Sequence, residues 1–237
     1  MKRPYVICHM MSSVDGKILS ANWQDEELTS TFAGYFEKYH VTFTSQAWMC
    51  GRITMERDFS GGVQPELREA PHPIAREPFI GDKNATSFAI AVDAHGKLGW
   101  ESNTTHGDHL IEVLTEQVSD NYLYYLQQKH ISYLFAGKTE VDFASVLHQL
   151  AELFPIDTLM LEGGGHLNGS LLNAGLIDEL SLLLLPIADG TPASPTTFEV
   201  SEYLAKGPAT RLRLTEVQQL DNDVVWLKYR FNRSGRE

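Results

Sequence analysis

One stretch limits what this chain can fold into more than any other. Thr158-Leu159-Met160-Leu161 reads as the end of a buried strand, Glu162 and three glycines (Gly163, Gly164, Gly165) follow, and Leu167, Leu171, Leu172 and Leu176 then fall at helical spacing. A strand that turns through glycines into a helix leaves backbone N–H groups unpaired at the positive end of the helix dipole, which suits a phosphate. A Cβ at such a turn would block positive φ angles and the close approach of a ligand to the backbone. The run is neither a Gly-x-Gly-x-x-Gly dinucleotide fingerprint nor a lysine-containing P-loop. A tight turn with nothing bound to it fits the same letters.

The rest of the chain repeats this alternation. Strands are expected over Pro4–Met11, Ala47–Cys50, Ser87–Asp93, Leu110–Leu114, Ile131–Phe135 and Leu180–Leu185. Helices are expected over Asp25–Tyr39, with Leu28, Phe32, Tyr35, Phe36 and Tyr39 near one face, over Asp120–Lys129 behind a Ser119 cap, and over Asp142–Phe154. Thr210–Gln219 and Val224–Phe231 form a closing hairpin around Asp221-Asn222-Asp223. Alternation of this kind predicts an α/β fold with a mainly parallel central sheet flanked by helices, and the hairpin adds antiparallel strands. The proline-rich segment of about residues 57–86 is too long for a bare connection and reads as a lid or a surface loop. Its flanks read as strands of one sheet, so the expectation is a single domain over 1–237.

Composition excludes more than it assigns. A net charge of −12 argues against nucleic acid or an anionic membrane as a partner, though not against a small anionic ligand. Cys8 and Cys50, the two cysteines, sit in apolar runs and read as small core residues in a reducing cytoplasm. The beginning of the chain carries no long apolar leader, and the longest apolar run, Leu182–Ala188, is too short to cross a bilayer. The expectation is a soluble cytoplasmic protein.

In open α/β sheets ligands gather at the carboxyl ends of the strands. Those ends carry Asp15, Gly51-Arg52, Thr115 and Glu162–Gly165. Asp15-Gly16 is a turn dipeptide, so Asp15 serves either a hairpin or a ligand. Arg52 either grips a phosphate or pairs with Glu56 one helical turn on, and Trp23 either covers a ligand or packs. Glu162 would be repelled by a pyrophosphate and should point towards substrate amines, with a helix-dipole contact as the competing reading. Among nine histidines, His106-Gly107-Asp108-His109 is the best cluster; it lacks further ligand pairs, so no metal is expected.

Taken together, Ser13-Val14-Asp15-Gly16-Lys17-Ile18, Gly51-Arg52-Ile53-Thr54, Glu162–Gly165 and the run Leu171–Leu180 followed by Pro186-Ile187-Ala188-Asp189-Gly190 resemble the reductase domain of riboflavin biosynthesis, in this order across nearly the whole chain. The resemblance implies a dihydrofolate-reductase-like fold, NADPH as hydride donor, a ribosylaminopyrimidine phosphate reduced to its ribitylamine, and a homodimer. It implies that Gly163, Gly164 and Gly165 face the cofactor pyrophosphate, that Gly51, Arg52 and Thr54 lie near its adenosine half, and that the loop from Thr115 to Ser119 meets its 2′-phosphate. It places Ser13, Asp15 and Glu162 on the substrate side, with Asp15 and Glu162 as catalytic carboxylates. The His-x-Glu and Pro-Cys-x-x-Cys ligands of the deaminase domain found in bifunctional relatives are absent. Reduction of dihydrofolate or another imine or carbonyl is the alternative chemistry, and a nucleotide-binding protein without turnover is the alternative of another class.

Overall fold

The computed structural model describes residues 2–23, 26–201, 204 and 207–232. In chain order the elements are β1 (Tyr5–Ser12), α1 (Glu26–His40), β2 (Ala47–Gly51), α2 (Arg52–Thr54) running into one π-helical turn (Met55–Phe59), β3 (Phe88–Val92), β4 (Thr104–Thr105) and β5 (Asp108–Leu114). They continue with α3 (Asp120–Gln128), β6 (Ser132–Phe135), α4 (Phe143–Leu153), β7 (Thr158–Leu161), α5 (Gly165–Asn173), β8 (Glu179–Leu184), β9 (Leu212–Gln219) and β10 (Val225–Phe231). Each expected strand and helix is present to within a residue or two at its ends; Asp25, expected to open α1, lies outside the described residues.

The chain divides into two compact units, neither continuous in sequence: residues 46–159 with the first few residues, and residues 5–45 with those from 160 onward. In the first unit β3 lies between β2 and β5, all three parallel, with β6 parallel and β4 antiparallel to β5. Both strands and helices here are capped or filled as their residues dictate. Ser119 accepts from the Tyr122 N–H at the start of α3, and Asp142 accepts from the N–H groups of Ala144 and Ser145 at the start of α4. Phe88, Ile90, Leu110, Ile111 and Leu123 are wholly buried.

The proline-rich segment behaves differently from a lid. It is helical as far as Phe59, and beyond that it is strapped to the first unit along its length. Ala70 N–H donates to Asn121, Phe79 bridges Tyr133, Gly81 N–H donates to Ser132, and Arg76 binds Asp120 and the carbonyls of Val118 and Glu116. Backbone and guanidinium partners replace the ladder that the prolines cannot form.

In the second unit β1 and β8 are parallel, and β8, β10 and β9 follow antiparallel. Helix α1 lays Phe32 and Tyr39 onto Leu183, Leu185, Val224 and Trp226, with Trp23 in the same cluster. Trp23 therefore packs; its indole N–H donates to Asp189 at 3.1 Å. Trp226 N–H donates to the Ser181 hydroxyl (2.8 Å), which donates to His9 Nδ1 (2.9 Å), and His9 Nε2–H donates to the Phe36 carbonyl (3.0 Å). That chain of donors fixes the neutral Nε2–H tautomer, and burial lowers the His9 pKa to about 4.

Candidate functional site

Within the second unit the strand-to-helix turn is built as the letters suggest, but its glycines answer different needs. Gly163 has φ +97°, and a Cβ there would stand 3.3 Å from the Met10 thioether, so this position needs glycine for conformation. The Gly163–Gly164 peptide is cis. A Cβ on Gly165 would lie 2.3 Å from the Thr196 carbonyl oxygen, and one on Gly169 would lie 2.2 Å from that of Glu199. At these two positions the close approach comes from the chain's own 196–199 segment and not from a ligand. The segment is further held by Glu199 N–H on the Gly165 carbonyl (2.9 Å) and by Asn168 Nδ2 on the Thr197 carbonyl (3.0 Å).

The first turn of α5 is still open for an anion. Asn168 N–H makes the first helical bond, to the Gly164 carbonyl, and no side chain caps the helix. The N–H groups of Gly165, His166 and Leu167 meet no protein acceptor among the described residues. These donors fit a phosphate group.

Glu162, at the carboxyl end of β7, turns away from this helix end. Its Oε1 accepts from His40 Nδ1 at 2.5 Å, where His40 is the last residue of α1. The Glu162 side chain is 9% exposed and that of His40 21%. Of the two readings for this carboxylate, a helix-dipole contact or a partner elsewhere, the hydrogen bond goes to His40. The sequence assigns this histidine no role; its position as a basic group in the last turn of α1 is the available signal.

Asp15 is engaged in a clasp. Oδ1 accepts from Ser13 Oγ (2.6 Å) and Asp189 N–H (3.0 Å), and Oδ2 from Gly190 N–H (2.9 Å). The Ser13 hydroxyl, followed by these two amides, holds the carboxyl well below the usual range. Ser13 itself is buried, giving to Asp15 and accepting from Lys17 N–H, so its hydroxyl faces the turn and not a substrate. The hairpin reading and the site reading of Asp15 meet here: one carboxylate ties two strand ends together.

The remaining expected residues belong to the first unit. Gly51 caps α2 in ordinary extended geometry, Arg52 pairs with Glu56 at 2.5 Å, and the half-buried Thr54 hydroxyl meets no partner among the described residues. Thr115 is wholly buried and its hydroxyl donates to the Ala94 carbonyl (2.6 Å), which removes it as a 2′-phosphate contact. Ser119 is exposed but serves as the α3 cap, leaving Glu116 and Gln117 as the exposed positions of that loop. The histidine cluster is dispersed: His106 meets Phe59 edge-on, Asp108 accepts from Trp48, and buried His109 donates to or accepts from Ser132. Among the described residues no group of three or more potential ligands is placed to hold a metal, and no helix is long and apolar enough to cross a membrane.

The parallel strands, the glycine turn and the carboxylate beside it define an α/β protein, and the reductase class comes from the comparisons with known proteins. The RibD C-terminal domain family matches residues 4–226, and the chain belongs to that family. It is 26% identical over 233 residues to the 2,5-diamino-6-ribosylamino-4(3H)-pyrimidinone 5′-phosphate reductase of Methanothermobacter thermautotrophicus, covering 94% of this chain and 96% of that one. Among solved structures, RibD of Acinetobacter baumannii superposes with a TM-score of 0.65 at 20% identity, over 98% of this chain and 59% of the RibD chain. The riboflavin biosynthesis reductase Rib7 of Saccharomyces cerevisiae gives 0.60 at 19% identity, over 97% of this chain and 90% of that one. The chain spans little more than half the length of the RibD proteins it matches, and nearly all of the shorter archaeal reductase.

Proposed function

We propose that this chain is an NADPH-dependent reductase of the riboflavin pathway. Its substrate is 2,5-diamino-6-ribosylamino-4(3H)-pyrimidinone 5′-phosphate, the compound named for the relative whose length it shares. The observation that carries the reading is the juxtaposition at the end of β7: a carboxylate held by His40, directly followed by a helix start whose first N–H groups meet no acceptor among the described residues.

The amides of Gly165, His166 and Leu167 would hold the cofactor pyrophosphate. NADPH, when bound, supplies the hydride that reduces the anomeric carbon of the open-chain imine. Glu162 faces that imine, and its nearly buried carboxylate stabilises the positive charge on the protonated nitrogen, an effect strengthened where water is excluded. Asp15 keeps its charge and holds the Asp189–Gly190 turn beside Ser13. The acceptor is bound as the protonated imine, and hydride addition at its anomeric carbon gives the neutral amine.

The enzyme works in the cytoplasm as a homodimer. β9 pairs with β10, and a bulge at Lys228/Tyr229 keeps Leu212, Leu214 and Val217 on one face with Leu227, Tyr229 and Phe231. Leu214 and Val217 on that face are 50% and 59% exposed, whereas Trp226 on the other face is core. An apolar sheet face of this kind fits a second copy.

The test follows NADPH oxidation with the diaminopyrimidinone phosphate and, separately, with its deaminated uracil counterpart. Turnover of the former, lowered about 10²-fold by Glu162→Gln at unchanged melting temperature, is the expected result. Turnover of the uracil compound alone would move the substrate and leave the chemistry. Absence of NADPH oxidation with both would overturn the proposal.

A further inference from the structure

Glu162 has a choice of two electropositive neighbours, the start of α5 three residues ahead and the imidazole at the end of α1, and the structure shows it on the imidazole. His40 is the terminal residue of α1, where a basic side chain is favoured by the helix dipole. The pair is 2.5 Å apart and largely shielded from water, which makes the contact directional and costly to break. From 122 positions away in sequence, this side chain holds one oxygen of the carboxylate.

We infer that His40 is a positioning residue for the reaction: its Nδ1–H holds Glu162 away from the α5 amides and facing the substrate, and keeps those amides open for phosphate. The inference rests on the proposed reductase reading and adds to it a residue outside the turn. Without His40 the carboxylate is attracted to the α5 N–H groups, where it would both leave the imine and compete with the anion.

Two groups on β1 stand close to the pair. His9 has its ring centroid 6.4 Å from that of His40 and is held neutral by burial, with a pKa of about 4. Cys8, also on β1 and within the field of Glu162, has its thiol pushed far up by burial and then by that carboxylate. Lys38, on the same turn of α1 as His40, stands over the Tyr39 ring.

The test is a cycle of His40→Leu, Glu162→Gln and the double variant, with His40→Asn as the conservative change, since an Asn amide can take the place of Nδ1–H. NADPH oxidation is followed with the diaminopyrimidinone phosphate. His40→Leu should lower kcat by about tenfold or more, His40→Asn should recover most of that loss, and His40→Leu should add less than about twofold in the Glu162→Gln background. Multiplying effects, or a His40→Leu enzyme with kcat near that of the unaltered chain, would overturn the inference while leaving the reductase reading intact. If the unaltered chain oxidises no NADPH with either pyrimidine, the reductase reading fails, and the pair is then read directly from the His40 ring resonances. Their titration midpoint should fall by about half a pH unit or more in Glu162→Gln, because a carboxylate favours the imidazolium; an unmoved midpoint overturns the pairing.

Discussion

The backbone of Glu199 occupies the place where a side chain on Gly169 would begin: a Cβ there would stand 2.2 Å from the Glu199 carbonyl oxygen and 2.9 Å from its nitrogen. A helix face of glycine is thus matched to a passing chain, with Asn168 and Gly165 fastening the segment on either side. Gly169→Ala must displace backbone and not a flexible side-chain tip. It should cost about 1–3 kcal/mol of stability by overpacking, and amide exchange should quicken at Glu199, whose N–H now bonds Gly165. A variant that melts with the unaltered chain and keeps that amide protected would contradict the packing.

Asp15 accepts three donors, and Asn cannot. In Asp15→Asn one donor of the set, Ser13 Oγ–H or the N–H of Asp189 or Gly190, must face an amide NH₂. The Asp189 and Gly190 amides should exchange faster, and turnover should fall by about 10²-fold with the rest of the fold unchanged. Intact turnover with loosened amides would reduce Asp15 to a turn residue.

Acid should weaken the fold through His9. Its folded pKa of about 4 lies below the ordinary value of 6.5, so the unfolded chain binds the extra proton between these values. Stability is then fully present above about pH 6.5 and lost as the pH falls towards 4, by up to about 3 kcal/mol. Denaturant midpoints across that window should fall with pH in the unaltered chain and fall less in His9→Gln.

Glu112 acts in the opposite direction. It is fully buried, accepts from Trp100 Nε1 at 2.6 Å, and burial, followed by the charge of Asp93, pushes its pKa well up. The folded state therefore retains a proton that the unfolded chain releases above the ordinary glutamate value, and stability declines as the pH rises past it. Glu112→Gln keeps an oxygen for Trp100 without the charge, and should raise the melting temperature most at alkaline pH. Equal melting at all pH values would show that the carboxyl is not held protonated.

The outer face of the β9–β10 hairpin supplies a test of assembly. Val217→Lys places a charge among Leu214, Leu227 and Tyr229, and sedimentation should report a monomer with an unaltered circular dichroism spectrum. A dimer that survives this change would be formed elsewhere.

How much was legible beforehand differs from residue to residue. The apolar run of β7, the glycines and the leucine spacing of α5 gave that turn outright, because local conformation and periodicity are written in neighbouring letters. Ser119 was equally plain as a cap. What failed were partners distant in sequence. The Thr115 hydroxyl at a strand end goes to Ala94, and the close approach that Gly165 permits is made by Thr196, while the Gly165 N–H meets no acceptor among the described residues. Residues 57–86 looked loose because their bonds go to Asp120, Asn121 and Tyr133.

The order of strands and helices, the need for glycine at Gly163 and the family itself were determined by the sequence alone, since each depends on patterns within one short window. The tertiary structure alone decided that Glu162 points to His40, that Asp15 holds Gly190 and that the 196–199 segment lies on α5. These depend on which distant groups folding brings within hydrogen-bond reach, and a hydrogen bond is selective over tenths of an ångström in a way that a residue's letter is not.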